Sequence, residues 1–204
     1  MPNRMVAYFV RHGTTDLNKE NVFRGQDNPP LDTQGLKDAD TVAKYLRPIE
    51  FGTAYMSPLD RTETTAERIL EPRGQTASPT DDLLPWDTGY LTGQPKTGHE
   101  KDIKYYQNHP NTKVPQGESI NDLKARATPR IRIALNHGLS MGVPSLVVTH
   151  SSIIRVLSDM LHGDHNQVKV KPGGVVGVFH DGKSFKAVPL FRKEDAGEKT
   201  HYGA

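Results

Sequence analysis

The stretch Met5-Val6-Ala7-Tyr8-Phe9-Val10-Arg11-His12-Gly13-Thr14 is an apolar run that stops on an arginine, a histidine and a glycine. A short apolar run bounded by turn residues is the pattern of a strand covered on both faces, as parallel sheets require. Arginine beside histidine, where that strand breaks into a turn, places an anion anchor and a nucleophile or base in one spot. A second stretch repeats the arrangement: Ser145-Leu146-Val147-Val148-Thr149 runs straight into His150. In open α/β sheets, ligands gather outside the carboxyl ends of the strands. The two histidines, remote in the chain, are therefore expected to meet.

Outward from these strands the pattern alternates. Residues 16–32 are polar and turn-rich and read as loop. Leu36, Ala39, Val42, Ala43 and Leu46 recur at helical spacing, giving a helix from Thr33 to the Arg47-Pro48 boundary. Thr53-Ala54-Tyr55-Met56 is a short strand, and Ser57-Pro58 reads as the N-cap and first-turn proline of a helix reaching about Leu70. Between Glu71 and Gly117 the periodicity fades, apart from a short helix near 101–108, and this segment reads as a small cap over the site. A long helix resumes near Ser119, with a kink or break expected at Pro129. Ile153, Ile154, Val156, Leu157, Met160 and Leu161 give the helix after His150 its apolar face. Val175–His180 and Phe185–Leu190, joined by Asp181-Gly182, read as a closing hairpin. The order predicts an α/β fold: a mostly parallel central sheet with helices on both faces.

Bulk properties narrow the function. A length of 204 residues suits one domain spanning 1–204, with 192–204 as a loosely held polar tail. The 26 basic against 24 acidic side chains leave a net charge of +2, which calls for neither nucleic acid nor an anionic membrane as partner. Met5–Val10 is too short to span a membrane and lacks a signal-peptide cleavage site, so the chain reads as cytoplasmic. No cysteine is present, which removes disulfides, thiolate nucleophiles and cysteine-bound zinc. His99, His109, His137, His162, His165, His180 and His201 show no metal-ligand spacing, so no metal and no cofactor are expected.

The run Val10-Arg11-His12-Gly13-Thr14-Thr15-Asp16-Leu17-Asn18 resembles the Arg-His-Gly signature of the histidine phosphatase superfamily, the phosphoglycerate mutase-like proteins. Phe23-Arg24-Gly25-Gln26 with Pro30-Leu31-Asp32, Ser57-Pro58-Leu59-Asp60-Arg61-Thr62, Gly117-Glu118-Ser119 and Val147-Val148-Thr149-His150 resemble further family segments in the same order. The resemblance implies a phosphoglycerate mutase-like fold and a metal-independent covalent mechanism. His12 would attack phosphorus to form a phosphohistidine. Arg11, Arg61 and His150 would surround the phosphoryl oxygens, where charge must be stabilised during transfer. Asn18 would add a neutral donor, Arg24 and Gly25 would touch substrate, and Ser151 would offer a backbone N–H.

One departure matters. The family carries a glutamate four residues before a glycine matched by Gly89, and Pro85 stands there. The leaving alkoxide of a phosphomonoester needs a proton, and Asp87 is the nearest carboxylate, with Glu118 in reserve. The segment between Gly93 and Gly117 is shorter than the insert of family mutases, which favours hydrolysis of a small phosphorylated metabolite. Phosphoryl transfer of the phosphoglycerate mutase type, and a non-catalytic module that binds phosphate ligands, are the alternatives. Lys96, His99, Lys101, Lys104, Tyr105, Tyr106 and Lys113 in the cap read either as recognising a second anionic group or as a solvated helix.

Overall fold

Strand β1 (Arg4–Arg11) is the apolar run of the opening stretch, and it lies inside the sheet. The computed structural model describes residues 4–191, so the tail expected at 192–204 falls outside the described residues. With β2 (Thr53–Met56), β3 (Ser78–Pro79), β4 (Ser145–Thr149), β5 (Val175–His180) and β6 (Phe185–Phe191), it forms a six-stranded sheet in the order β3-β2-β4-β1-β5-β6. β1 to β4 run parallel, whereas β5 pairs antiparallel with β1 and β6 antiparallel with β5. The closing hairpin is thus present. Its turn is organised by Asp181, whose Oδ1 accepts the amides of Lys183 and Ser184.

Alternation along the strands builds one core on each face. Tyr8, Val10, Leu146 and Val148 pack with Val42 and Leu46 of α2 (Thr33–Leu46) and with Ala66, Ile69 and Leu70 of α3 (Asp60–Leu70). Ala7, Phe9 and Val147 face the other way. They pack with Leu123, Ala127, Ile131, Ala134 and Leu135 of α5 (Ile120–Met141) and with Ile153, Ile154 and Leu157 of α6 (Ser151–His162). Val6 breaks the alternation by joining Ala7 on this face, because the register of β1 against β5 shifts between Met5 and Ala7.

Several local expectations change. Residues Asp16–Lys19 form one short helical turn, α1, where the composition reads as loop. The Ser57-Pro58 cap is not formed: α3 begins at Asp60 with Leu59 as N-cap, and Ser57 lies before the helix. Helix α5 continues through Pro129 without a break. Pro129 and Ala125, whose carbonyl the proline deprives of a partner, are both on the exposed face, where water can take the lost bond. The start of α5 is firm, since Ser119 Oγ accepts the Asp122 amide while Asp122 accepts the Ser119 amide.

Within the cap expected near 71–117, β3 adds a short strand beside β2, and α4 (Glu100–Asn108) is the helix expected near 101–108. The loop after β1 is stitched to this cap by main-chain bonds from Phe23 to Gln94, Gly93 to Phe23 and Lys96 to Asn21. Gly13 and Gly35 let the turn after β1 touch the start of α2 backbone to backbone. A Cβ on Gly35 would lie 2.0 Å from the Thr14 carbonyl oxygen. Neither side is a rotatable side chain, so Gly35→Ala should destabilise the protein by about 3 kcal/mol or more in denaturant unfolding, beyond ordinary overpacking.

Candidate active site

The carboxyl ends of β1, β4 and β2 converge on one spot. The His12 amide donates to the Thr149 carbonyl at 3.1 Å, and the Ser57 amide donates to the Val148 carbonyl at 3.1 Å. This pairing brings the His12 and His150 rings to 5.0 Å between centroids, at an interplanar angle of 61°. Arg61 enters from the first turn of α3 and is held by a 2.7 Å bond from Nη1 to the Asp27 carbonyl. The loop carrying Asp27 is itself pinned, because Asn28 and Asp60 exchange two hydrogen bonds, Asn28 Nδ2 to Asp60 Oδ1 at 2.7 Å and Asp60 N to Asn28 Oδ1 at 2.9 Å. His12, Arg61 and His150 retain 2%, 1% and 3% of their exposure, so the reactive centre is at the cavity floor.

Hydrogen bonding fixes the chemistry of the two histidines. His12 Nδ1 lies 2.6 Å from the Gly13 carbonyl, which can only accept, so Nδ1 carries the proton and Nε2 keeps its lone pair. Burial, then Arg61, Arg11 and Arg24, push His12 well below the ordinary imidazole range, against the opposing pull of the Gly13 bond. His12 is a neutral imidazole at physiological pH. His150 is also held neutral, by burial first and then by His12 and the same arginines. Its Nε2 lies 2.8 Å from Ser57 Oγ, and its Nδ1 is buried without a hydrogen-bond partner.

Arg11 Nε and Arg61 Nε are also buried without partners. Burial lowers both arginines to about 10, with Arg24 adding to the effect in each case. Buried unpaired donors cost about 1–3 kcal/mol each, more when charged. Donors of this kind are chemically suited to the oxygens of a tetrahedral oxyanion.

The cavity above them is about 470 Å³. His12, Arg24, Gly25, Arg61, His150 and Ser151 all line it, as the sequence reading requires. Arg11 stands behind, on an adjoining cavity that shares Ser151 and Arg155, with Nη1 donating to the Val170 carbonyl at 2.9 Å. Two residues depart from expectation, and neither lines these cavities. Asn18 Oδ1 accepts the Thr15 amide at 2.9 Å and the Thr15 hydroxyl at 3.0 Å, which makes it part of a helix-start cap. Asp87 Oδ1 accepts the Gly89 amide at 3.0 Å, so an aspartate turn stands at the position expected to supply the acid.

Two important residues escape the sequence reading. Ser57, expected as a helix cap, instead orients His150. Arg126 grips the loop before Trp86 by the carbonyls of Asp81, Asp82, Leu84 and Pro85, and meets Glu118 through both Nε and Nη2. Glu118 in turn accepts the Asp87 amide, so it braces the wall of the site. Nothing in the spacing of Arg126 distinguishes it from a solvated helix arginine. Among the described residues, no group of three or more metal-ligating side chains could hold a metal ion, and no helix is long and apolar enough to cross a membrane.

Comparison with known proteins agrees with this geometry. The family model described as histidine phosphatase superfamily (branch 1) matches residues 7–186. A 2,3-bisphosphoglycerate-dependent phosphoglycerate mutase of Bradyrhizobium sp. (strain ORS 278) is 30% identical over 187 residues, covering 86% of each chain. In fold, the chain is similar to the alpha-ribazole phosphatase from Shigella flexneri, with a TM-score of 0.76 at 20% identity over 90% of this chain and 95% of that one. It is likewise similar to a mycobacterial glucosyl-3-phosphoglycerate phosphatase, with a TM-score of 0.78 at 20% identity over 93% and 99% of the two chains.

The depressed histidines carry a stability signature. Below the ordinary imidazole value of about 6.5 the unfolded chain takes up protons that His12 and His150 refuse in the fold. Their contribution is therefore complete above that pH and is lost as pH falls through it, at about 1.4 kcal/mol per pH unit for each histidine. Denaturant unfolding at pH 7 and pH 5.5 should show this loss, and the double variant His12→Gln/His150→Gln should show less of it.

Proposed function

The chain belongs to branch 1 of the histidine phosphatase superfamily, and from that membership we propose that it is a metal-independent phosphomonoester hydrolase working through a phosphohistidine on His12. The observation that carries the reading is the set of buried, unpartnered polar atoms, Arg61 Nε and His150 Nδ1 on residues lining the cavity and Arg11 Nε behind it, beside a histidine whose Nε2 keeps its lone pair. Dianionic phosphate supplies the acceptors these groups lack. As the phosphoryl group passes to Nε2, its oxygens hold the charge, and fixed donors stabilise it without reorganisation.

Each neighbour has a part in that step. We take Ser57 as the donor in its 2.8 Å bond with His150 Nε2, the tautomer that puts the His150 proton on Nδ1 to donate to the phosphoryl group. Arg11 and Arg61 supply charge, and the first amides of α6 at Ser151 add unsatisfied N–H groups. Arg24 lines the same cavity, and its own burial lowers it from the usual guanidinium value. In the second step, water attacks phosphorus from the side that the leaving group vacated. Exposed Lys96, Gln107 and Arg155 at the cavity wall leave water a path to that side.

Phosphoryl transfer between phosphoglycerates is the second reading, favoured by the 30% identical mutase relative. The cap favours hydrolysis instead: its one α-helix, α4, lines the cavity through Ile103 and Gln107 yet has no buried residue. A radiolabelled phosphomonoester should leave label on the protein, and hydrolysis should persist with a chelator. His12→Ala should abolish both, with turnover falling more than about a thousandfold. Interconversion of phosphoglycerates without phosphate release would favour the mutase reading.

Ser57→Ala tests the orienting bond. It should lower kcat/KM by about 2- to 10-fold, the worth of a hydrogen bond between neutral groups at about 0.5–1.5 kcal/mol. Unchanged thermal unfolding, measured alongside, would separate this loss from misfolding.

A further inference from the structure

An alkoxide is too basic to leave phosphorus unaided at neutral pH, whereas a phenolate is not. The walls of the cavity bear on which of these the protein handles. Pro85 is buried in the wall and has no proton to give. Asp87 is occupied by the Gly89 amide, and Glu118 by Arg126 and the Asp87 amide. Among the described residues, no aspartate or glutamate lines the cavity. Beside the polar Thr88, Lys96, Gln107, Lys124, Ser152, Arg155 and His165, the lining includes an apolar set: Val22, Phe23, Trp86, Ile103, Ile120 and Leu123. Trp86 is fixed as part of that wall, with its indole N–H donating to the Glu118 carbonyl at 3.0 Å and its amide donating to Ser152 Oγ at 3.1 Å.

Resting on the hydrolase reading above, we propose that the substrate is an aryl phosphate whose flat apolar body lies against Phe23, Trp86 and Ile103 and whose phenolic oxygen leaves as the anion. The His12 Nε2–P bond forms as the P–O bond breaks, and the electron pair departs with the phenolate, which takes its proton from solvent. Water then forms the new P–O bond, the P–N pair returns to His12, and the water proton leaves with the phosphate. No protein carboxyl group is needed in either step. Lys96 and Arg155, beside the apolar wall, offset the charge that develops on the departing oxygen.

A leaving-group series tests this on the full chain. Substituted phenyl phosphates and primary alkyl phosphates are compared by kcat/KM and by the rate at which label appears on His12. The proposal expects kcat/KM to fall close to tenfold for each unit rise in leaving-group pKa, about the limit for an unassisted departure. Alkyl phosphates should give no label on the time scale of the aryl esters. Asp87→Asn should leave the slope unchanged, and Ile103→Ser should raise KM for naphthyl phosphate several-fold with kcat within about twofold. A flat series would overturn the proposal, as would a slope that steepens in Asp87→Asn or His165→Ala, since each would reveal a proton donor. Labelled His12 with a flat series sinks only the leaving-group assignment. Absence of label with every ester sinks the hydrolase reading beneath it.

Discussion

One main-chain hydrogen bond underlies the site: the His12 amide to the Thr149 carbonyl, the last rung of the parallel pairing between β1 and β4. Because Arg11 stands opposite Thr149 in that register, the next residue of each strand is a histidine, and the two rings meet at the sheet edge. A slip of one residue would send one ring to the opposite face of the sheet. Register is fixed by burial, since Ala7, Phe9 and Val147 serve one core while Tyr8, Val10, Leu146 and Val148 serve the other. The backbone positions of the reactive pair are therefore set by the hydrophobic effect acting on strands, while Gly13 and Ser57 in the turns that follow orient the two rings.

A strand end, a loop and a helix start supply charge. Arg11, Arg24 and Arg61 stand close enough that each depresses the protonation of His12, and burial acts in the same direction. Such an assembly repels itself and leaves donors unpaired, so the fold carries a cost at its floor in the empty state. Backbone carbonyls hold it together: Asp27 takes Arg61, and Val170 takes Arg11. These bonds aim the guanidinium groups, while the carboxylates of Asp27 and Asp60 lie near enough to Arg61 to favour its charged form.

Most of this frame is legible in the sequence because it rests on local patterns. Apolar runs ending on histidine mark β1 and β4, helical spacing marks α2, α3 and α6, and turn residues mark the closing hairpin. The misreadings share another cause. Ser57 and Asp87 have the local chemistry of a helix cap and of an acid, but their partners are decided by contacts far away in the chain or by the turn in which they sit. The serine faces a histidine 93 positions on, and the aspartate is consumed by an amide two residues away. Asn18 is likewise claimed by its own turn at Thr15. Arg126 is invisible for a related reason: its partners are carbonyls, and every residue has one.

That choice of partners has a wider effect. Arg126 holds the loop at Asp81, Asp82, Leu84 and Pro85 through main-chain oxygens, so at Leu84 and Pro85 its course rests on contacts that do not depend on the side chain displayed. A residue there can be exchanged while the backbone keeps its shape, much as a socket accepts different fittings. Pro85 sits in such a socket. The scaffold can thereby acquire or lose a proton donor in single substitutions without reopening the folding problem, and its catalytic repertoire is free to diverge faster than its architecture.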